Sequence, residues 1–541
     1  MRPLPPKVSG YTQISSDRQP KVTPLVTDGP RLYLSENWNN NYVVVQVAAG
    51  GGQTVRVPNP FPAVSLSDIS PDRSQLLVEV RGGFEVPVWA LPPLGGPPQR
   101  VGSGLAHDAA WMPDGQGIVY ANGQDLFISQ LHGSESRKLA TLPGPATWLR
   151  WSPDGRRLRF TVNDSKTNSN ALWEVAADGT NLHPVLPGWN TPPAECCGNW
   201  TSDGRYFLFQ STQSSRTHIW AIQEKAGLFH RATAEPMQLT AGPLNYYSPV
   251  PSVDGKKLFV VASQPRGELS RFDPKIQQFV AYLSGSSIEG LDFSRDGEWV
   301  AYVTFPEGSL WRSKVDGSQK AQLTFPPTQA FLPRWSPDGK RIAFTAATPG
   351  KPYKVHVILA EGGQLEQLTT GAYSEADVGW SPDENQLVFG ISGVSPAPSS
   401  GVAIHLVDLR THEISTLSGS EGLFSPRWSP DGRYIAGIPI TADSLRLCEL
   451  ATRKWTELAK LPMGYPSWSR DSRYIYFDTA GADAAFYRVR VSDRKMERLV
   501  SLKSVRRTGT AEWTGLAPDD SPLLLRDIGT EEVYALDWQA P

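Results

Sequence analysis

Trp335-Ser336-Pro337-Asp338-Gly339-Lys340-Arg341-Ile342-Ala343-Phe344 reads as the end of one strand, a tight turn and the start of the next. Proline presets φ at the first turn position, aspartate bonds its own backbone, and glycine accepts a left-handed conformation that other residues resist. Ile342 and Phe344 then alternate with smaller neighbours, the period-2 sign of a strand with one buried face.

The stretch recurs along the whole chain. Its turn aspartate has counterparts at Asp28, Asp72, Asp114, Asp154, Asp203, Asp254, Asp296, Asp383, Asp431, Asp471 and Asp519. Their mean spacing of about 45 residues is the period of a four-stranded propeller blade. Three residues before the aspartate most copies carry an aromatic: Trp111, Trp151, Trp200, Phe293, Trp335, Trp380, Trp428 and Trp468. Four residues after it every copy is aliphatic or aromatic, from Leu32 and Leu76 through Ile342 to Leu523. Glycine follows the aspartate except where Arg73, Glu384, Ser472 and Asp520 replace it, and those turns are expected to be built differently. Two further strand-like pieces follow each hairpin, in the eighth copy at 353–359 and 365–369. The last piece recurs as Gln238-Leu239-Thr240, Gln322-Leu323-Thr324 and Gln367-Leu368-Thr369, with looser versions at Lys138-Leu139-Ala140 and Arg498-Leu499-Val500. Four short strands joined by turns make one blade.

The predicted class is therefore all-β. Propellers carry about four to eight blades, so twelve units imply two tandem rings, six plus six, with seven plus five as the rival. The ends are out of phase with the repeat. Tyr11-Thr12-Gln13-Ile14-Ser15 precedes any hairpin, and a third-strand piece at 532–538 has no fourth strand after it. The first strand is expected to close the Asp254 blade, and 277–282 the Asp519 blade, which removes open sheet edges. The corresponding division is 1–274 and 275–541, with the boundary near Asp273-Pro274-Lys275.

Trp-Ser-Pro-Asp-Gly-Lys/Arg-x-Ile-Ala-Phe followed by Gln-Leu-Thr resembles the WD40-like repeat of TolB-type bacterial propellers, over nearly the whole chain. The α/β domain that opens TolB itself has no counterpart. The opening segment, from Tyr11-Thr12-Gln13-Ile14 to Pro24-Leu25-Val26-Thr27-Asp28-Gly29, resembles the sensor region of membrane-anchored bacterial winged-helix regulators. Neither a winged helix nor a transmembrane helix precedes it in this sequence. The resemblance implies a non-enzymatic scaffold or sensor whose partner is a protein, a peptide or a small ligand. A hydrolase or lyase with a site in a central funnel is the alternative.

Chemistry is hard to find in the residues themselves, and the sequence assigns no catalytic, cofactor-binding or metal-ligating residue. Twelve turn aspartates lie in twelve blades and cannot converge on one substrate. The histidines (His107, His132, His183, His218, His230, His356, His405 and His412) show no short ligand spacing, and His405 and His412 read as hairpin surface. No GxSxG elbow, Walker loop or Rossmann fingerprint is present, and Gly50-Gly51-Gly52 has no helix after it. A formal charge of −2 offers no field for nucleic acid, and Lys503, Arg506 and Arg507 read as a solvated loop. Cys196-Cys197 is either two small buried residues or a vicinal disulfide, and Cys448 stands apart. Two longer loops, 163–170 and 393–401, are the candidates for binding. No secretory leader and no membrane-spanning run is visible. The expected compartment is the periplasm if the chain is an envelope sensor, and otherwise the cytoplasm.

Overall fold

The computed structural model describes all residues except 1–5, 39–40, 81–84, 132–134, 165–166, 168, 214–215, 225–234, 392–401, 482 and 541. His132, His230, the loop 393–401 and part of 163–170 therefore lie outside the described residues. The described chain forms twelve four-stranded antiparallel sheets, one for each turn aspartate, with no α-helix among them. Six sheets fall in each of two compact units, so the fold is two six-bladed propellers in tandem.

The turn chemistry is as the opening stretch demands. Ser336 Oγ donates to Asp338 Oδ1 at 2.7 Å, and the same oxygen accepts Lys340 N at 3.0 Å. Ser336 Oγ in turn accepts Arg341 N at 2.9 Å. The Ser152–Asp154, Ser252–Asp254, Ser381–Asp383, Ser429–Asp431 and Ser469–Asp471 pairs repeat the arrangement within 2.6–2.7 Å. The serine hydroxyl holds the Asp338 carboxyl below the usual carboxylate range. These aspartates serve geometry.

The four turns without glycine correct the expectation. Arg73, Glu384, Ser472 and Asp520 adopt φ of 63°, 63°, 60° and 62°, beside 72° at Gly339. A serine–aspartate bond in three of these turns (the fourth has Ala517 in place of the serine), and the flanking ladders in all four, fix the loop, so the substituted residue accepts the left-handed conformation at a cost of about 1–2 kcal/mol.

Gln-Leu-Thr also has a physical reason to recur. The threonine hydroxyl accepts the amide of the third strand (Leu310 N to Thr324 Oγ1 at 2.8 Å, Val355 N to Thr369 Oγ1 at 3.0 Å). The glutamine amide folds back on the threonine carbonyl at 2.9 and 2.7 Å. Blades then stack through their alternating faces. Ile342 and Phe344 are fully buried against Ala301 and Val303 of the preceding blade. Each such side chain contributes about 1.5–3 kcal/mol. Arg341 lies 4.7 Å over the Trp380 ring of the following blade, adding a cation–π contact to the seam.

The rings close by exchange of third strands. Lys7–Gln13 pairs with Thr530–Gln539, which pairs with Lys257–Gln264 of the Asp254 blade. Gln278–Ala281 pairs with Gly267–Asp273, which pairs with Pro522–Asp527 of the Asp519 blade. The two closing strands are those expected from the sequence. The cut near Asp273 differs from this pairing, because Gly267–Asp273 already belongs to the second ring and Thr530–Gln539 to the first. The first unit accordingly spans Met1–Asp164, Ser169–Gln264 and Thr530–Pro541, and the second is built from Pro265–Gly529.

Candidate functional site

Every blade presents its first strand to the central channel, and in the second propeller these are Ile288–Phe293, Gln329–Trp335, Glu375–Trp380, Leu423–Trp428, Gly464–Trp468 and Thr514–Leu516. Most carry a bulge three residues before the aromatic, where Gly290, Leu332, Asp377, Ser425 and Tyr465 have positive φ. The bulge turns the strand so that the residue just before the aromatic points along the channel wall. In blade order those residues are Asp292, Arg334, Gly379, Arg427, Ser467 and Gly515. Two arginines alternate with three residues too small to fill the space between them.

A cavity of about 720 Å³ occupies this space, lined by all six blades. Its rim is the Ser-Pro-Asp turns, with the exposed Arg295 and Arg470. Its inner end is filled: Leu332, Tyr465 and Trp513, from three blades, pack into one cluster with Leu291. Tyr465 donates its hydroxyl to the Thr510 carbonyl, and Thr510 donates its N–H and hydroxyl to Glu289 at 2.6 and 2.9 Å. Burial, reinforced by the Asp377, Glu289 and Asp478 carboxylates, pushes the Tyr465 hydroxyl well above its ordinary pKa, so it stays a neutral donor.

The charges at the cavity differ in how far they are satisfied. Arg427 is buried and its Nη2 pairs with the buried Asp377 at 2.6 Å. Asp292 Oδ2 accepts Trp335 N of the next blade at 2.6 Å, and burial pushes its carboxyl up. Arg334 turns Nη1 back onto the Pro333 carbonyl at 2.9 Å and has no ion pair within 4.0 Å among the described residues. Burial, then the like charge of Arg427, lower its pKa. Trp380 and Trp468 tie the walls together, donating Nε1 to the Arg334 and Arg427 carbonyls at 2.9 and 3.0 Å. Ser336 and Ser429 line the cavity with hydroxyls already committed to Asp338 and Asp431.

The residues singled out from the sequence lie elsewhere. Arg507 is not a solvated loop residue: it is buried, 2.6 Å from Asp478 and 2.7 Å from Glu512. Arg506 pairs with Asp527 at 2.6 Å and Lys503 with Asp483 at 3.0 Å. His405 stacks on Phe389 at 5.5 Å, and His412 stands 3.8 Å from Glu366. Cys196 and Cys197 form a vicinal disulfide on an inner strand of the first propeller, and Cys197 N donates to Thr161 Oγ1 at 3.1 Å. No group of three or more His, Cys, Asp and Glu suited to a metal ion occurs among the described residues. No helix of the described residues is long and apolar enough to cross a membrane. The funnel arginines were missed although a signal existed: Pro-Arg-Trp-Ser-Pro-Asp occurs at 333–338 and again at 426–431.

No family model matches the chain. An uncharacterized protein of Agrobacterium fabrum is 23% identical over 279 residues, which are 47% of this chain and 88% of that one. A TolB homolog of Chlorobium chlorochromatii is 29% identical over 162 residues, 29% of this chain and 35% of its own. A tricorn protease homolog of Streptomyces coelicolor is 38% identical over 90 residues, 16% of this chain and 7% of its own. An uncharacterized peptidase of Bacillus subtilis is matched over 29% of its length. The chain thus spans under a third of the two peptidase-named relatives. Among solved structures, TolB of Acinetobacter baumannii aligns with a TM-score of 0.26 at 13% identity, over 80% of this chain and 81% of that one. The fold itself, two six-bladed β-propellers, stands on the strand pairing.

Proposed function

We propose that this chain is a binding module whose second propeller takes a peptide, a protein segment or a small ligand into its central funnel. The observation that carries this reading is the cavity of about 720 Å³, lined by all six inner strands and given its room by Gly379, Ser467 and Gly515. Its size falls within the roughly 300–1,000 Å³ of ligand pockets. Rigid blades fix the rim turns, so recognition comes from side chains held in place before the ligand arrives. The alternative, a hydrolase or lyase in the same funnel, would draw on a facing nucleophile and base. Among the described lining residues are no His, Cys or Lys, and the Asp292 carboxylate is engaged by Trp335 N.

The test is to plug the funnel. Position 379 has negative φ, and a Cβ there meets only Val388 Cγ1 at 3.4 Å, so Gly379→Phe places a ring in the cavity without disturbing the strand. Random heptapeptides tethered by their N-termini are expected to be retained by the wild-type chain and about tenfold less by Gly379→Phe, a loss of about 1.4 kcal/mol. Retention that ignores the plug would overturn the reading.

A further inference from the structure

Of the two inner-strand arginines of the funnel, Arg334 is the one without an ion pair among the described residues, although Asp292 and Asp377 act on its charge. A guanidinium carries five N–H donors in a planar fork. Arg334 spends one on Pro333, and its remaining edge faces the cavity that it lines. Arg427, at the same position two blades on, makes the same back-turned bond to Pro426 at 2.9 Å but gives its outer edge to Asp377. The acid nearest in the ring order, Asp292, is occupied as a brace between blades and makes no ion pair with Arg334. The planar fork of Arg334 matches one carboxylate bidentately, and the cavity's other arginines without an ion pair among the described residues, Arg295 and Arg470, stand at its rim. Leu332, Tyr465 and Trp513, from three blades, pack into one cluster on the side of Arg334 away from the turns, which disfavours an extended chain threading through. What reaches Arg334 is a chain end.

Resting on the funnel reading above, we infer that Arg334 is the seat for the free α-carboxylate at the C-terminal end of a peptide inserted from the turn side. The walls between the arginines then accept the last side chains, beside Gly379 and Ser467. Arg427 holds its Asp377 pair and keeps the floor from turning into a second anion site.

Two synthetic heptapeptide pools, identical except for a free acid or an amide at the C-terminus and both tethered by the N-terminus, separate the possibilities. The wild-type chain is expected to retain the acid pool about tenfold better than the amide pool. Arg334→Gln is expected to bring that ratio to about one, and Arg334→Lys to an intermediate value because charge returns without the fork. Equal retention of both pools, with both still lost in Gly379→Phe, would overturn the carboxylate assignment and leave the funnel reading standing. An acid preference that survives in Arg334→Gln would likewise overturn it, as would amidated peptides retained through Asp or Glu side chains. Retention of neither pool by the wild-type chain would overturn both readings.

Discussion

The two propellers share a frame and differ in what fills the middle. At the inner-strand position two residues before the first turn residue, the first ring carries Val26, Asp68, Ala110, Arg150, Asn199 and Val250. The second carries Asp292, Arg334, Gly379, Arg427, Ser467 and Gly515. In the first ring Arg150 is buried, turns Nη1 onto Leu149 O at 2.7 Å and sends Nη2 to Ser67 O, two blades away, at 3.2 Å. Its guanidinium lies 5.7 Å over the Trp148 ring and acts on both Asp68 and Asp108, whose carboxyls burial pushes up. Arg334 makes the same backward bond and acts likewise on Asp292 and Asp377, but it donates to no carbonyl of another blade. One residue per blade therefore decides how far a channel is braced by its own side chains. Where both rings carry aspartate at this position the brace is shared: Asp68 takes Trp111 N at 2.9 Å, as Asp292 takes Trp335 N at 2.6 Å.

Replacing the two arginines is the sharpest way to break that contrast. Arg150→Gln removes charge-assisted bonds from a buried group and leaves Ser67 O without its donor, an expected loss of about 2–3 kcal/mol. Arg334→Gln gives up one bond to its own strand, and the repulsion from Arg427 that it relieves offsets the attraction of Asp292 and Asp377 that it loses, so its cost is expected to be about 1 kcal/mol. Because a two-unit chain need not unfold in one step, the measurement is native-state hydrogen exchange of Ala146–Trp151 and of Gln329–Trp335 in the respective variants. Equal losses would mean that both channels are braced alike. A smaller gain is expected from the turns. Arg73 is exposed and held at φ 63°, so Arg73→Gly relieves left-handed strain worth about 1 kcal/mol after the added entropy of glycine is subtracted. Calorimetry should show a raised Tm, and a lowered one would mean that the arginine side chain holds the turn.

The repeat, its strands and its ring closures were legible because each rests on local chemistry: Ser-Pro-Asp-Gly for the turn, an aromatic facing an aliphatic for the seam, and Gln-Leu-Thr for the outer strand. Six plus six was the simplest division of twelve blades, and seven plus five fell away only with the strand pairing. The exchange of Gly267–Asp273 and Thr530–Gln539 was not legible, since a third strand looks the same whichever blade receives it and the partners are some 250 residues apart. The funnel was hidden for a related reason. Gly379 and Ser467 are unremarkable in any one strand, and their meaning appears only when six copies are set around one axis. Cys196-Cys197 stood open between two readings because adjacency permits a bond without requiring it.

Acid should separate the two kinds of aspartate. Turn carboxyls such as Asp154 and Asp338 are held low by serine hydroxyls, so their contribution is present above their unfolded pKa of about 3.9 and is lost as pH falls through the lower folded value. Asp68 and Asp292 are pushed up by burial, so theirs is complete below that unfolded pKa and is lost as pH rises through the higher folded value. In Tm against pH, Asp338→Asn is expected to flatten the limb below about pH 4 and Asp292→Asn the slope above it. Both variants altering the same limb would contradict this assignment.

The vicinal disulfide is where the smallest effect is expected, for a reason the second ring supplies. Cys197 sits at the bulge position with φ 63°, as do Trp148, Ser248, Leu332, Asp377, Ser425 and Tyr465 in their own strands, none of them disulfide-bonded. The ladder, and in the first ring a side-chain acceptor from the preceding blade, already hold that conformation: Asp108 takes Trp148 N, Thr161 takes Cys197 N and Gln210 takes Ser248 N, at 2.6, 3.1 and 2.9 Å. The stabilisation a disulfide gives through the unfolded chain grows with the loop it closes, and here the loop is minimal. Reduction by a dithiol is therefore expected to raise the free-thiol count from one, at Cys448, to three while lowering stability by less than about 1 kcal/mol. Thiol titration and thermal unfolding with and without the reductant measure both. A large drop in Tm on reduction would show that this bulge, unlike its counterparts, is held by its sulfurs.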